Sequence, residues 1–126
     1  MSFLPNAQAA LASGNLGLNE TAILTYLLAN AVGRANAKSW RVIELYLTNL
    51  PTPIVMEMQE FQHGLLAASR ADDYFIGSSN KGFFIIDSED DAKASASYYD
   101  SRIQAETTHL NQLRRICRNH NPAWTV

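Results

Sequence analysis

The fold turns on Tyr74-Phe75-Ile76, then Gly77-Ser78-Ser79-Asn80-Lys81-Gly82, then Phe83-Phe84-Ile85-Ile86. Two aromatic and β-branched runs flank a Gly/Ser/Asn turn, the pattern of a β-hairpin. A hairpin this short is marginal in isolation and needs helices to pack against.

The flanking sequence supplies those helices. Downstream, Asp87 or Ser88 is placed to cap a long helix over residues 89–119. Glu89, Asp90 and Asp91 crowd its start, and Arg114, Arg115, Arg118 and His120 crowd its end, both in the sense that the helix dipole favours. Upstream, Thr52 as cap and Pro53 at the first position open a helix over 53–70. Its apolar face is Ile54, Met58, Phe61, Leu65 and Ala68. Ser39 caps a shorter helix over 40–49, stopped by Leu50-Pro51-Thr52-Pro53 because proline disfavours helical geometry in the residue before it. A first helix over 20–36 has Asn19 as its cap and apolar residues on most sides, which makes it central and buried. Residues 5–13 read as a short helical turn or loose arm closed by Gly14. The expected class is mainly α with one β-hairpin. It comprises an N-terminal arm (1–18), a winged helix-turn-helix core (19–87) and a long C-terminal helix (88–126).

Composition bounds the function. The 126 residues are 47% apolar and 17% charged, enough for one domain with a real core and unlike a disordered chain. One cysteine, Cys117, forbids an intrachain disulfide, so a reducing, cytoplasmic setting is expected. No run approaches the roughly 18 apolar residues of a membrane span, and the first residues lack the pattern of a signal peptide. The net charge is −2. A nucleic-acid reading must therefore rest on where the ten basic residues sit, because lysines and arginines against phosphates supply most non-specific affinity.

Residues 65–86, with Arg70, Ile76, Ser78-Ser79, Lys81-Gly82-Phe83 and Ile85, resemble the small winged-helix proteins of bacteriophages and prophages. Those proteins show a third-helix arginine, a Gly-Pro-Ile step, a Ser-Ser-x-Lys-Gly-Tyr-x-Ile wing and then an arginine-rich helix. The resemblance implies a non-enzymatic DNA-binding regulator of transcription or replication. Two departures stand out. Asp72-Asp73-Tyr74-Phe75 replaces the Gly-Pro step, and Glu57 and Glu60 occupy a helix where base readers are normally basic or amide-bearing.

The candidate contacts to double-stranded DNA follow. Ser78, Ser79, Asn80 and Lys81 form the wing tip, with donors and a charge suited to phosphate; the same residues also make an ordinary turn. Gln59, Gln62, His63 and Arg70 lie on the polar face of the third helix, within reach of base edges. Lys38 and Arg41, beside the second helix, and Arg114, Arg115 and Arg118 at the end of the last add possible phosphate contacts.

Ala92, Ala96, Tyr99, Ile103, Glu106, Leu110, Leu113 and Cys117 recur at alternating spacings of four and three, a heptad seam. Tyr99, Ile103, Leu110, Leu113 and Cys117 are the candidate homodimer contacts. The alternative is that the stripe folds back on its own domain. No nucleophile motif, phosphate-binding glycine loop or cofactor signature appears, and His109, Cys117 and His120 lack a fourth ligand and zinc-type spacing. No enzyme activity, metal or cofactor is expected. The rival function is a protein-interaction module, such as a phage-encoded inhibitor of a host protein, or a virion assembly component. Glu57, Glu60, Asp72, Asp73 and the net charge favour that rival.

Overall fold

The computed structural model describes residues 2–126, apart from the side chains at 67, 70 and 71. In chain order the elements are α1 (Leu4–Ala12), α2 (Leu18–Asn30), a 3-10 turn (Arg34–Asn36), α3 (Trp40–Thr48), α4 (Met58–His63), α5 (Leu65–Ala71), β1 (Ile76–Ser79), β2 (Gly82–Ile85) and α6 (Glu89–His120). This is the mainly helical class with one antiparallel hairpin and a long final helix, arranged as a winged helix-turn-helix.

The hairpin register pairs Ile76 with Ile85, Gly77 with Phe84, Ser78 with Phe83 and Ser79 with Gly82. The strands therefore run into the segment read as turn, and only Asn80 and Lys81 remain at the tip. One edge of this sheet is closed by residues 31–38. Lys38 and Phe83 exchange both backbone hydrogen bonds, at 2.9 and 2.8 Å. The Ile85 amide donates to the Ala31 carbonyl at 2.7 Å, and the Gly33 amide to the Ile85 carbonyl at 2.9 Å. This pairing is why the first helix ends at Asn30 rather than Asn36. The chain leaves the helix at Ala31, and Gly33 takes the positive φ of 83° that lets it run beside β2.

The third helix also departs from expectation. Thr52 and Pro53 do not start it. The Ile54 amide is taken by the Leu47 carbonyl at 3.0 Å and Met56 is buried, so residues 51–57 run over the surface without helical structure, anchored to the core through Met56. Helix begins only at Met58 and bends at Gly64, whose φ and ψ of −90° and −90° lie outside the helical well. Asp73, with φ 58°, then takes the left-handed conformation that usually falls to glycine at a helix end.

The core gathers Ile23, Leu24 and Leu27 of α2, Ile43 and Leu47 of α3, Phe61 and Leu65 of α4 and α5, and Ile76, Phe83 and Ile85 of the wing. The N-terminal arm is not loose. Ala7 and Ala10 of α1 are buried against this core, and the Phe3 amide donates to the Ile86 carbonyl at 3.0 Å. Ser39 caps α3 as the sequence indicates, accepting from the Val42 amide at 3.4 Å, and Ser88 rather than Asp87 caps α6, accepting from Asp91 at 3.1 Å. Asp91 is itself buried. Its carboxylate accepts from the amides of Arg34 at 3.1 Å and Asp87 at 3.0 Å, tying the start of α6 to the 3-10 turn. No helix is long and apolar enough to cross a membrane among the described residues.

Two stability predictions follow from this packing. Gly82 has φ 128°, and a Cβ there would run into the backbone carbonyl of Lys38. Gly82→Ala should therefore cost at least about 2 kcal/mol in chemical denaturation, the scale for forced backbone strain; a loss below about 0.5 kcal/mol would show that this pairing is absent. Tyr74 is 2% exposed, and burial, aided by the Asp72 carboxylate, pushes its phenol up to about 12 from 10.0. The folded chain then keeps a proton that the unfolded chain releases near pH 10. Stability should hold below pH 10 and fall as pH rises towards 12. Absorbance titration should show one tyrosine ionising late; five tyrosines titrating together would contradict it.

Candidate functional site

The second edge of the hairpin is closed by α6. The Ser78 amide points outward from β1 and donates to Ser95 Oγ at 3.1 Å, while Ser78 Oγ and Tyr99 Oη are hydrogen-bonded at 3.1 Å. Phe75 adds an edge-to-face contact to the Tyr99 ring, with centroids 6.3 Å apart. Satisfying an edge amide this way removes a site where another strand would add.

With both edges closed, the exposed part of the wing is its tip. Ser79 shapes it, accepting from the Lys81 amide at 3.2 Å, and leaves Asn80 and Lys81 projecting. Clefts open around that tip. The best defined, of about 320 Å³, runs between the start of α3, the α4–α5 pair, the wing and α6; it is lined by Trp40, Met58, Gln62, Leu66, residues 78–83, Tyr98, Tyr99 and Arg102. Its wall is set by a row of rings. Trp40 stacks on Phe61 at 5.3 Å, and Phe61 meets Phe83 edge-on at 4.8 Å. Arg102 lies over the Tyr98 ring at 5.5 Å, which holds the guanidinium at the cleft mouth. On the other side of the tip, Arg34, Ala35, Ser79, Asn80, Lys81 and Ala94 line a second cleft, and Tyr98 with Ser97 and Ser101 lines a third.

Charge is distributed unevenly across these surfaces. Among the described residues, the clefts around the tip contain Arg34, Lys81 and Arg102 and no carboxylate. Asp91, whose carboxylate accepts from the Arg34 backbone amide, is turned inward onto backbone amides. Asp72 and Asp73 line a separate hollow beside α1, with Asn6 and Ser13. The surface around the tip is thus locally cationic although the chain as a whole carries −2.

The residues expected from the sequence divide accordingly. Asn80, Lys81 and Ser79 are at the tip, Gln62 is in the main cleft, and Lys38 sits half-buried where its backbone meets Phe83. Ser78 is not a tip donor: it is 6% exposed, and its hydroxyl and amide are engaged with α6. Arg41, Gln59 and His63 are exposed but line none of these clefts, and neither do Glu57 and Glu60. The Arg70 side chain lies outside the described residues. Arg114, Arg115 and Arg118 are remote within one chain. At 1.5 Å per residue, Arg114 stands roughly 24 Å along α6 from Tyr98. Tyr99 belongs to the wing interface, whereas Ile103, Leu110 and Leu113 are exposed and Cys117 is half-buried. Among the described residues no cluster of three His, Cys, Asp or Glu is placed to hold a metal ion.

Sequence reading missed Arg34, Trp40, Tyr98 and Arg102. Arg34 lay inside a stretch read as continuous helix. For Arg102, the spacing of four from Tyr98 along a helix was the available signal. The chain matches no protein-family model, no curated protein and no solved structure.

The wing–helix link is testable by a double-mutant cycle on Ser78→Ala and Tyr99→Phe. A coupling of about 0.5–1.5 kcal/mol is expected for a hydrogen bond of this kind. Strict additivity would mean that the two hydroxyls do not meet.

Proposed function

We propose that this chain is a non-enzymatic winged-helix protein that binds double-stranded DNA through the tip of its wing and the cleft beside it. The observation that carries the reading is the segregation of Arg34, Lys81 and Arg102 around the tip, without a carboxylate among them. Lys81 and Arg34 would contact phosphates of one strand from either side of the turn, with Asn80 donating beside them. Gln62, on the cleft wall formed by α4, is the side chain best placed to approach a base edge, and Trp40 and Tyr98 supply flat apolar surface next to it. The reading assigns Glu57 and Glu60 to the flank of the complex rather than its centre.

The resemblance of residues 65–86 to phage and prophage winged-helix proteins extends this to a regulator of transcription or replication in a phage or mobile element, acting in the host cytoplasm. A second reading, a module that binds or inhibits a host protein or takes part in virion assembly, draws on a different surface. Val55 is 86% exposed, and Glu57 and Glu60, a few residues further along the chain, are exposed as well.

Salt dependence separates the two. Neutralising about three phosphates predicts a slope of log K against log[salt] near −3 for each chain, since the slope is roughly −0.9 per phosphate. Lys81→Glu, Arg34→Glu and Arg102→Glu should each weaken duplex binding about tenfold or more and flatten that slope. Glu57→Gln with Glu60→Gln should leave binding intact or improve it. If the full chain shows no duplex binding at low salt, the protein-interaction reading replaces this one.

A further inference from the structure

Beyond Arg102 the last helix leaves the domain. Ile103, Leu110, Leu113 and Ile116 are 64, 43, 53 and 51% exposed, an apolar stripe along a free-standing rod. An isolated helix segment of this length is marginal in water, so its stability depends on a partner. We propose that the partner is a second copy of this chain, that the two helices run antiparallel, and that each copy thereby brings its Arg114, Arg115 and Arg118 to the level of the other's wing. The dimer geometry is independent of the nucleic-acid reading; only the use made of those arginines rests on it.

Charge fixes the orientation. Glu106 interrupts the middle of the stripe. A parallel pair would set Glu106 against the partner's Glu106, two like charges inside the seam, whereas an antiparallel pair sets it against the partner's Leu110. The flanking positions agree. Asp100 and Arg114 occupy equivalent heptad positions beside the seam. Antiparallel pairing places Asp100 opposite the partner's Arg114, and by symmetry the contact occurs twice. Parallel pairing would instead bring Arg114 towards the partner's His109, and Asp100 towards the partner's Ser95, with no opposite charge for either.

Space leads to the same orientation. Tyr99 lies on the heptad stripe, yet its ring is on Phe75 and its hydroxyl on Ser78 of its own wing. A parallel partner would bring a second Tyr99, with a second wing packed over it, to the same level. An antiparallel partner offers only the slim end of its helix there, near Cys117. Length matches as well: with Ile103 opposite the partner's Leu113, each helix stops at His120, level with the partner's exposed Ala96, where the wing begins.

The consequence is a surface that no single chain has. Within one chain the helix-end arginines stand far from the wing, but in this pair Arg114 is level with the partner's Arg102 and Arg118 with the partner's Tyr98. With Arg114 paired to the partner's Asp100, the second copy then brings two further cations, Arg115 and Arg118, to the level of the cleft that holds Arg102 and Lys81.

The orientation is read by cysteine cross-linking of the full-length protein without DNA, in a Cys117→Ser background under mild oxidation. A mixture of Ile103→Cys and Leu113→Cys chains should yield the disulfide-linked heterodimer, while Ile103→Cys alone should not cross-link. Self-linking of Ile103→Cys, or a Cys117 disulfide dimer of the unmodified chain, would overturn the antiparallel assignment. In sedimentation the wild type should be dimeric and Leu110→Glu monomeric. Asp100→Arg and Arg114→Asp should each weaken the dimer several-fold, and the two together should restore it. A wild type that is monomeric at all concentrations overturns the proposal. Loss of duplex binding with the 103–113 cross-link intact would count against the nucleic-acid reading and not against the dimer.

Discussion

A two-stranded sheet has two edges, and the organisation of this protein follows from how both are closed. On one side the backbone of residues 31–38 pairs with β2 through Lys38 and Phe83, so closely that position 82 must be glycine. On the other, Ser95 and Tyr99 of α6 take up the outward amide and hydroxyl of Ser78. The hairpin is thus a central element rather than an appendage. Its inner side chains, Ile76, Phe83 and Ile85, join the helical core, and the ring of Phe83 passes the contact on through Phe61 to Trp40. Only Asn80 and Lys81 at the tip escape this clamp.

The same clamp explains how a chain with net charge −2 carries a basic surface. Pairing residues 31–38 with β2 carries Arg34 to one flank of the tip, and packing α6 against β1 carries Arg102 to the other. Several of the acids are engaged elsewhere. Asp91 is consumed in fastening α6 to the 3-10 turn, Glu89 pairs with Lys93 one helical turn on at 3.2 Å, and Asp72 and Asp73 face α1. Position within the fold, rather than total charge, decides what such a surface attracts.

Much of this was legible in the residues, because local signals dominate where they were read correctly. The aromatic runs around Gly77 to Gly82 are strand formers bounding a turn, and the dipole-matched ends of the last helix are local chemistry; both elements are present. The errors share one cause, competition from distant partners. Residues 31–36 have helical patterning, but β2 offers them backbone hydrogen bonds that the helix would forgo. Thr52 and Pro53 form a sound helix start, yet the Leu47 carbonyl and a buried site for Met56 draw residues 51–57 away from helix. Ser78 reads as a turn donor until the amide of an edge strand needs Ser95. Of the site, the tip and Gln62 were visible, while Arg34 and Arg102 depend on tertiary pairing that no local pattern records.

The C-terminal helix shows the same logic in reverse. Its heptad spacing runs from Ala92 to Cys117, broken in character only by Glu106, yet the fold divides it at Tyr99: Tyr99 is used inside the chain, and Ile103 onward is left exposed. The central claim, that the clamped wing exposes only its tip as a contact surface, is tested most directly by titrating short duplex DNA into isotope-labelled protein and following backbone amides by NMR. Chemical-shift changes should concentrate at Arg34, at residues 79–82 and at Gln62 and Arg102. Changes confined to residues 55–60 or 72–73, or none at all, would contradict the account.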